Sequence, residues 1–192
     1  MLVVGAVRGV TQLDDVAYVV SNKSSIINVY TASQVDPLGE GILVRGMTDP
    51  RDILACRRDR QLYVADFDYC IWRVSADDHS YVRWLPTESA TDAFDADTLS
   101  LTSRGLLVTS SIRTLYEYSM PDRELLRVVN LPAHVERLLH AVETSRSTFV
   151  VSHRGTSLHN WQSAVSQPLS VVIYFLHIDL TPLYTSTSTN IY

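Results

Sequence analysis

The sequence has few cysteines, few basic residues and no long apolar run. Its two cysteines, Cys56 and Cys70, have apolar neighbours, which favour buried free thiols over a disulfide. Free thiols in turn favour a reducing, cytoplasmic location, with an extracellular location as the alternative. Lysine and arginine number 16 against 21 acidic residues, whereas nucleic-acid surfaces neutralise phosphates with basic side chains. The longest apolar run, "VVIYFL", is far below the roughly 20 residues that span a bilayer. We therefore predict no nucleic-acid partner and no membrane segment.

The length and composition are those of a globular domain. With 192 residues and 46% hydrophobic composition, the chain can bury a sizeable core and remove roughly 70% of its unfolded surface from water. The opening "MLVVGAVRGV" has no charged segment before its apolar run and no small-residue cleavage site, so we do not expect a secretory signal there.

Similar apolar segments recur at a nearly fixed spacing. They are "VAYVVS", "QLYVAD", "GLLVTS" and "STFVVS", with central residues Tyr18, Tyr63, Leu107 and Phe149. These centres are separated by 45, 44 and 42 residues. A period of 20 to 50 residues is typical of solenoids and propellers.

Further apolar segments flank each of these four. They include "IINVYT", "CIWRVS", "TLYEYS" and, more faintly, "SLHNWQ" on the carboxyl side. All are short, rich in Val, Ile, Leu, Tyr and Thr, and broken by Asp, Ser, Gly and Pro, which is typical of antiparallel strands joined by turns. We predict an all-β protein of about four propeller blades, each with four antiparallel strands, forming an incomplete propeller. The approximate units are 8–46, 51–85, 97–131 and 138–178, followed by an irregular tail over 179–192.

One unit carries a recognisable family pattern. The segment "DPRDILACRRDRQLYVADFDYCIWRVSADD" resembles an NHL-type repeat of the six-bladed, TolB-like propellers. The matching residues are Pro50, Ile53, Leu62, Tyr63, Val64, Asp66, Ile71 and Val74. The resemblance is partial around Tyr18 and Leu107 and weak around Phe149, and it extends over about 150 residues. Receptor-type "YWTD" blades and gluconolactonase-type propellers are also similar.

Four carboxylates in this unit raise the question of a metal site. Asp66 aligns with Ser21, Ser110 and Ser152 in the other units, and a position that alternates between Asp and Ser is typical of a turn. On that basis Asp66→Ser is expected to be tolerated. Asp77 and Asp78 are expected in the hairpin before the outer strand, and only Asp68 lacks an equivalent. A calcium loop is rejected because the glycine and the closing glutamate are missing.

The resemblance implies a function through the loops at one end of the blades. The loops after the second strands, with the links between blades, should form a common face. The candidate binding residues there are Asn22, Lys23, Asp66, Asp68, Arg113, His153 and Arg154. NHL-like blades mostly present such a face to proteins or other ligands, so we expect a noncatalytic scaffold that binds a protein or other ligand there. We expect a protein partner, no catalytic residue and no cofactor. The alternatives are a metal-dependent lactonase or hydrolase using a divalent cation such as calcium, or a fragment of an extracellular receptor-type propeller.

Two further expectations concern packing. Tyr63, Val64, Ile71 and Leu107 should be buried between blades. An open arc of blades should also self-associate through its first and last strands, "MLVVGAV" and "LSVVIYFLHI", because they leave apolar surface uncovered. The apolar segment from Leu169 to Ile178 is expected to be the outer strand of the fourth unit, unless unrelated sequence begins there.

Overall fold

The computed structural model describes most of the chain up to residue 154 and one later strand. The described residues are 5–68, 70–86, 95–111, 113–131, 133, 135, 137–145, 148–154 and 171–177; for 137, 145, 154 and 171–177 only the backbone is described. These ranges consist of strands and turns. They contain no helix of the length and apolarity needed to cross a membrane. The predicted tail, 179–192, lies outside them.

The strands form four antiparallel sheets, and each sheet is one blade. Blade 1 contains β1 (Val7–Leu13), β2 (Val16–Ser21), β3 (Ile26–Thr31) and β4 (Ile42–Leu43). Blade 2 contains β5 (Pro50–Cys56), β6 (Gln61–Asp66), β7 (Cys70–Ser75) and β8 (Tyr81–Leu85). Blade 3 contains β9 (Thr98–Leu101), β10 (Leu106–Thr109), β11 (Thr114–Tyr118) and β12 (Leu125–Asn130), and blade 4 contains β13 (Arg137–Ser145), β14 (Thr148–Arg154) and β15 (Val171–His177). Strands pair in chain order within every blade, which confirms the all-β prediction.

Alternating side chains within a strand supply the cores on both sides of a blade. In β6, Leu62 and Val64 pack with blade 1, whereas Tyr63 and Ala65 pack with blade 3. This division follows from the two-residue period of a strand. Both faces of β6 are therefore apolar, which is why the "LYVA" run is continuous rather than alternating.

Three cores join the four blades in sequence. The core between blades 2 and 3 contains Trp84, whose ring meets the edge of Tyr63 at a centroid distance of 5.2 Å. The other two join blade 1 to blade 2 and blade 3 to blade 4. Tyr63, Val64, Ile71 and Leu107 are each at most 1% exposed, which confirms that prediction. The aromatic residues of these strands therefore serve sheet packing.

The innermost strands of neighbouring blades approach closely. A methyl group added at Gly9 of β1 would lie 2.8 Å from the backbone nitrogen of Ile53 in β5. Only glycine fits there, because such a contact is far inside van der Waals distance. The contacts of innermost strands run from β1 to β5, from β5 to β9 and from β9 to β13, so the four blades form an open stack rather than a closed ring.

Blade 4 departs from the expected strand order. The segment Leu169 to Ile178 was predicted as the outer strand, but Val171–His177 pairs directly with β14 and takes the third position. The faint segment "SLHNWQ", predicted for that position, lies outside the described residues. Cys56 and Cys70 are both free and buried, as their apolar neighbours predicted.

Candidate interaction face

One end of the stack carries the turns after the second strands and the links between blades. Because strands alternate in direction, the turns at 21–25, at 67–68 and at 110, 111 and 113 lie at one end of the blades. The links at 44–49, at 95–97 and at 131, 133 and 135 lie at the same end. We call this surface the loop face. It is the end on which the sequence predicted the binding residues.

The turn of blade 1 is attached to the link that follows it. Lys23 has a φ of 55°, in the left-handed region that few residues other than glycine adopt. Its amide donates to Asp49 Oδ1 at 3.1 Å, and the Asn22 amide donates to the Ala6 carbonyl at 2.8 Å. The backbone is therefore fixed, with the Lys23 side chain exposed and Asn22 half-buried.

The Asp66 carboxylate lies buried beneath the loop face. It accepts hydrogen bonds from the amides of Thr48 at 2.9 Å and Asp49 at 2.8 Å, and from the Trp72 indole N–H at 3.2 Å. Its exposed fraction is 0%. It was predicted to lie on the binding face, but its oxygens instead hold the link between blades 1 and 2 against the β6–β7 turn.

Asp68 and Phe67 are the exposed residues of the same turn. Asp68 Oδ2 accepts from the Thr48 hydroxyl at 2.9 Å. Phe67 is 46% exposed, and the Arg51 guanidinium lies 4.4 Å from the centre of its ring. A cation at this distance is attracted by the face of an aromatic ring, so the turn presents an aromatic group supported by an arginine.

Blade 3 repeats the attachment of turn to link. Arg113 has a φ of 68°; its carbonyl accepts from the Leu131 amide at 2.9 Å, and its guanidinium donates to the Ala133 carbonyl at 3.1 Å. On the other side of the turn, the Ser111 hydroxyl donates to the Asp95 carboxylate. Arg113 thus serves to position the link and is only partly exposed.

One predicted residue of blade 4, His153, does not join this surface. His153 is 1% exposed, so it lies in the interior rather than on a loop. The side chain of Arg154 is outside the described part of the molecule. Among the seven candidates, Lys23 and Asp68 are exposed, Asn22 and Arg113 are half-buried, and Asp66 and His153 are buried.

A cavity on the axis of the stack adds residues that the sequence analysis missed. Its volume is about 250 Å³, and residues at the starts of all four innermost strands line it, including Arg8, Arg51, Thr98 and Leu138. Arg51 Nη1 lies 3.6 Å from Asp97 Oδ1 at the cavity wall. In the sequence, this cavity was indicated by a charged or polar residue at the start of an otherwise apolar first strand, as in "PRDILAC".

Asp52, in the innermost strand β5, is a half-buried carboxylate. It accepts from the amides of Leu99 and Ile53, each at 2.9 Å. Burial raises its pKa, and the two amides oppose that rise. Asp52 therefore joins β5 to β9. Within the described ranges, no three His, Cys, Asp or Glu side chains cluster as metal ligands would.

Asp77 and Asp78 lie at the opposite end of blade 2, in the β7–β8 turn, as predicted. Asp77 Oδ1 accepts from Arg60 Nε at 2.7 Å. Hydrogen bonds from the hydroxyls of Ser75 and Ser80 and from the Ser80 amide lower the pKa of Asp78 to about 2. Both residues belong to a solvated turn.

Comparison with known proteins shows the fold. No protein-family model and no curated protein matches the sequence. Among solved structures, the WD40 β-propeller domain of Doa1 matches with 15% identity and a TM-score of 0.59, over 78% of this chain and 48% of that one. Hydrazine synthase of Kuenenia stuttgartiensis matches with 13% identity and a TM-score of 0.66, over 90% and 51%. The N-terminal domain of Nup159 matches with 14% identity and a TM-score of 0.58, over 90% and 45%.

The fold is that of a β-propeller. The chain spans about half the length of each of these solved chains, in agreement with an open stack of four blades. The likeness includes WD40-type propellers, so the general propeller prediction is confirmed, whereas the NHL type stays a prediction.

Proposed function

We propose that the chain is a noncatalytic interaction scaffold whose loop face binds a segment of a protein partner. Propellers of similar fold support this assignment, since a solved S. cerevisiae structure contains Dbp5 bound to Nup159. The observation that carries the proposal is the exposed Phe67 ring with Arg51 against it at the axial cavity. Phenylalanine and arginine are both enriched in protein interfaces, and arginine is among the residues that most often contribute large binding energies.

The rigidity of the loop face favours binding. Asp49, Asp66 and Arg113 fix the turns through hydrogen bonds to the links. A surface that is already ordered loses little conformational entropy when a partner docks. Lys23 and Asp68 add exposed charges of opposite sign around the aromatic centre, which suits the polar rim of an interface.

The size of the axial cavity limits which part of the partner can enter it. Its volume of about 250 Å³ accommodates a single side chain, and Arg8 at its wall is exposed. An extended peptide could place one side chain in the cavity while its neighbours contact Phe67. The NHL-type resemblance of blade 2 is consistent with this function and with a protein partner.

Selection of peptides from a displayed library against the folded chain tests the proposal. We expect the selected peptides to bind Phe67→Ala at least about tenfold more weakly, which corresponds to about 1.4 kcal/mol. The matched control is Leu38→Ala, because Leu38 is 44% exposed and lies in the link between β3 and β4 at the opposite end. Peptides that bind Phe67→Ala as well as the unmodified chain would contradict the proposal.

A further inference from the structure

Blade 1 has one covered face and one uncovered face. Leu13, Tyr18 and Val20 belong to the core shared with blade 2. The side chains at the intervening positions of these strands lie on the other side of the sheet. We call that side the far face of blade 1. Val10 in β1 and Leu43 in β4 are 61% and 49% exposed there. Each of the three blade interfaces buries apolar positions of this kind.

The apolar positions of the far face form two cross-strand pairs. Val10 pairs with Val19 across β1 and β2, and Ile26 pairs with Leu43 across β3 and β4. Paired residues lie on the same side of a sheet, so these four side chains share the far face. Ile26 is also exposed, at 36%, and Val19 is half-buried.

A groove lies beside these residues. It has a volume of about 570 Å³ and is bounded by Ile26, Asn28 and Tyr30 of β3 and by Gly39 and Gly41 of the link to β4. β4 contains only two residues, and the link before it pairs with β3 through an isolated bridge between Tyr30 and Pro37. The groove lies between this link and β3. The far face therefore offers both an apolar sheet surface and room for a neighbouring sheet.

We propose that the far face of blade 1 docks against blade 4 of a second copy of this chain. The chain spans 48% of the chain that contains the WD40 propeller of Doa1, so four blades match about half the length of that solved chain. A second copy supplies four more. Blade 4 also has a side turned away from blade 3, on which Val142 and Val150 pair and are half-buried.

Twofold symmetry would close this assembly into a ring. Each copy has blade 1 at one end of its stack and blade 4 at the other. A twofold axis along the central channel brings both pairs of ends together at once and produces two identical interfaces. The product is a ring of eight blades in which no blade face stays open, as radial closure of a propeller requires. This inference does not depend on what the loop face binds.

Sedimentation velocity across the micromolar range tests the assembly. We expect a species of two chains that dissociates on dilution, and we expect Val10→Asp and Leu43→Asp to raise the dissociation constant at least tenfold. Val128→Asp is the matched control, because Val128 is 46% exposed on the outer strand of blade 3. Val10→Thr keeps strand propensity and should weaken association less than Val10→Asp, with circular dichroism confirming that each variant is folded. A monomer throughout the range, or association that Val10→Asp leaves unchanged, would overturn the proposal.

Cross-linking distinguishes this arrangement from other dimers. A Val10→Cys chain mixed with a Val142→Cys chain should form a mixed dimer with a short bifunctional maleimide, since Cys56 and Cys70 are buried. Efficient cross-linking of Val10→Cys chains to one another would instead show that two far faces meet each other, which contradicts the proposed ring.

Discussion

At the residue scale, Asp66 shows why an aligned position need not have an equivalent role. It aligns with serines in the other blades, and this suggested an interchangeable turn residue. Its three hydrogen-bond donors come from Thr48, Asp49 and Trp72. Two of these residues lie more than fifteen positions earlier in the chain, in a link that the local repeat pattern does not connect to the turn. The resulting role depends on the packing of two blades.

The structure therefore reverses the expectation that Asp66→Ser is tolerated. A serine hydroxyl is too short to reach both link amides and the indole, so buried donors would lose their acceptors. We expect the free energy of unfolding to fall by about 2 to 4 kcal/mol, measured by urea denaturation. Asp66→Asn keeps one acceptor oxygen and should lose less. Asp77→Asn on the exposed turn is the control and should change little; equal effects of Asp66→Ser and Asp77→Asn would contradict this role.

Cys70 provides a pH prediction. Burial, with Asp66 nearby, raises the pKa of its thiol from 9.0 to about 11. Only the neutral thiol is therefore populated near pH 8, and we expect no reaction with a thiol reagent until the chain is unfolded. Between pH 9 and about 11 the unfolded chain loses this proton while the folded chain keeps it, so stability should fall as the pH rises through that window. Rapid labelling of the native protein at Cys70 would show that the site is open.

At the scale of strands, the sequence predicted most of the fold. Hydrophobic runs of four to seven residues marked β6 and β10, which are buried on both sides, and β2, which is buried on the side of Tyr18 and Val20. Polar turns marked their ends. Blade 4 was less predictable, because a nearer faint segment competed with the strongly apolar Val171–His177 for the place beside β14. The axial cavity could not be predicted, because Arg51 and Asp97 come together only when blades 2 and 3 stack.

Ile71 tests the packing of β7 between blades. It is 0% exposed and belongs to the core that joins blades 2 and 3. Ile71→Ala should lower the free energy of unfolding by roughly 2 to 5 kcal/mol, because it removes buried methyl groups and leaves a cavity. Val128→Ala, at a site 46% exposed, is the control and should cost far less. A melting temperature that Ile71→Ala leaves unchanged would show that this core is wrongly assigned.

At the scale of the whole molecule, one uncovered apolar surface is the far face of blade 1. The sequence suggested that "MLVVGAV" and "LSVVIYFLHI" would be the adhesive segments. This stays a prediction, because residues 1–4, 169, 170 and 178 and the side chains of 171–177 lie outside the described part of the chain. The exposed apolar side chains of blade 1 include Val10 and Leu43, which belong to the surface that a neighbouring blade would cover. The sequence repeat predicted the number of blades. To identify which sheet face is uncovered, the pairing register of every strand was needed.

The central claim is that four blades fold in the same way, and amide hydrogen exchange resolved along the sequence tests it most directly. The second strand of each blade, β2, β6, β10 and β14, is paired on both sides. Interior strands of this kind exchange slowest because opening them breaks two ladders of hydrogen bonds. We predict four sets of slowly exchanging amides that include those near Tyr18, Tyr63, Leu107 and Phe149, separated by rapidly exchanging turns. In blades 1 to 3 these sets extend into β3, β7 and β11, which are also paired on both sides. Amides of β14 that exchange as fast as those turns would contradict the four-blade account.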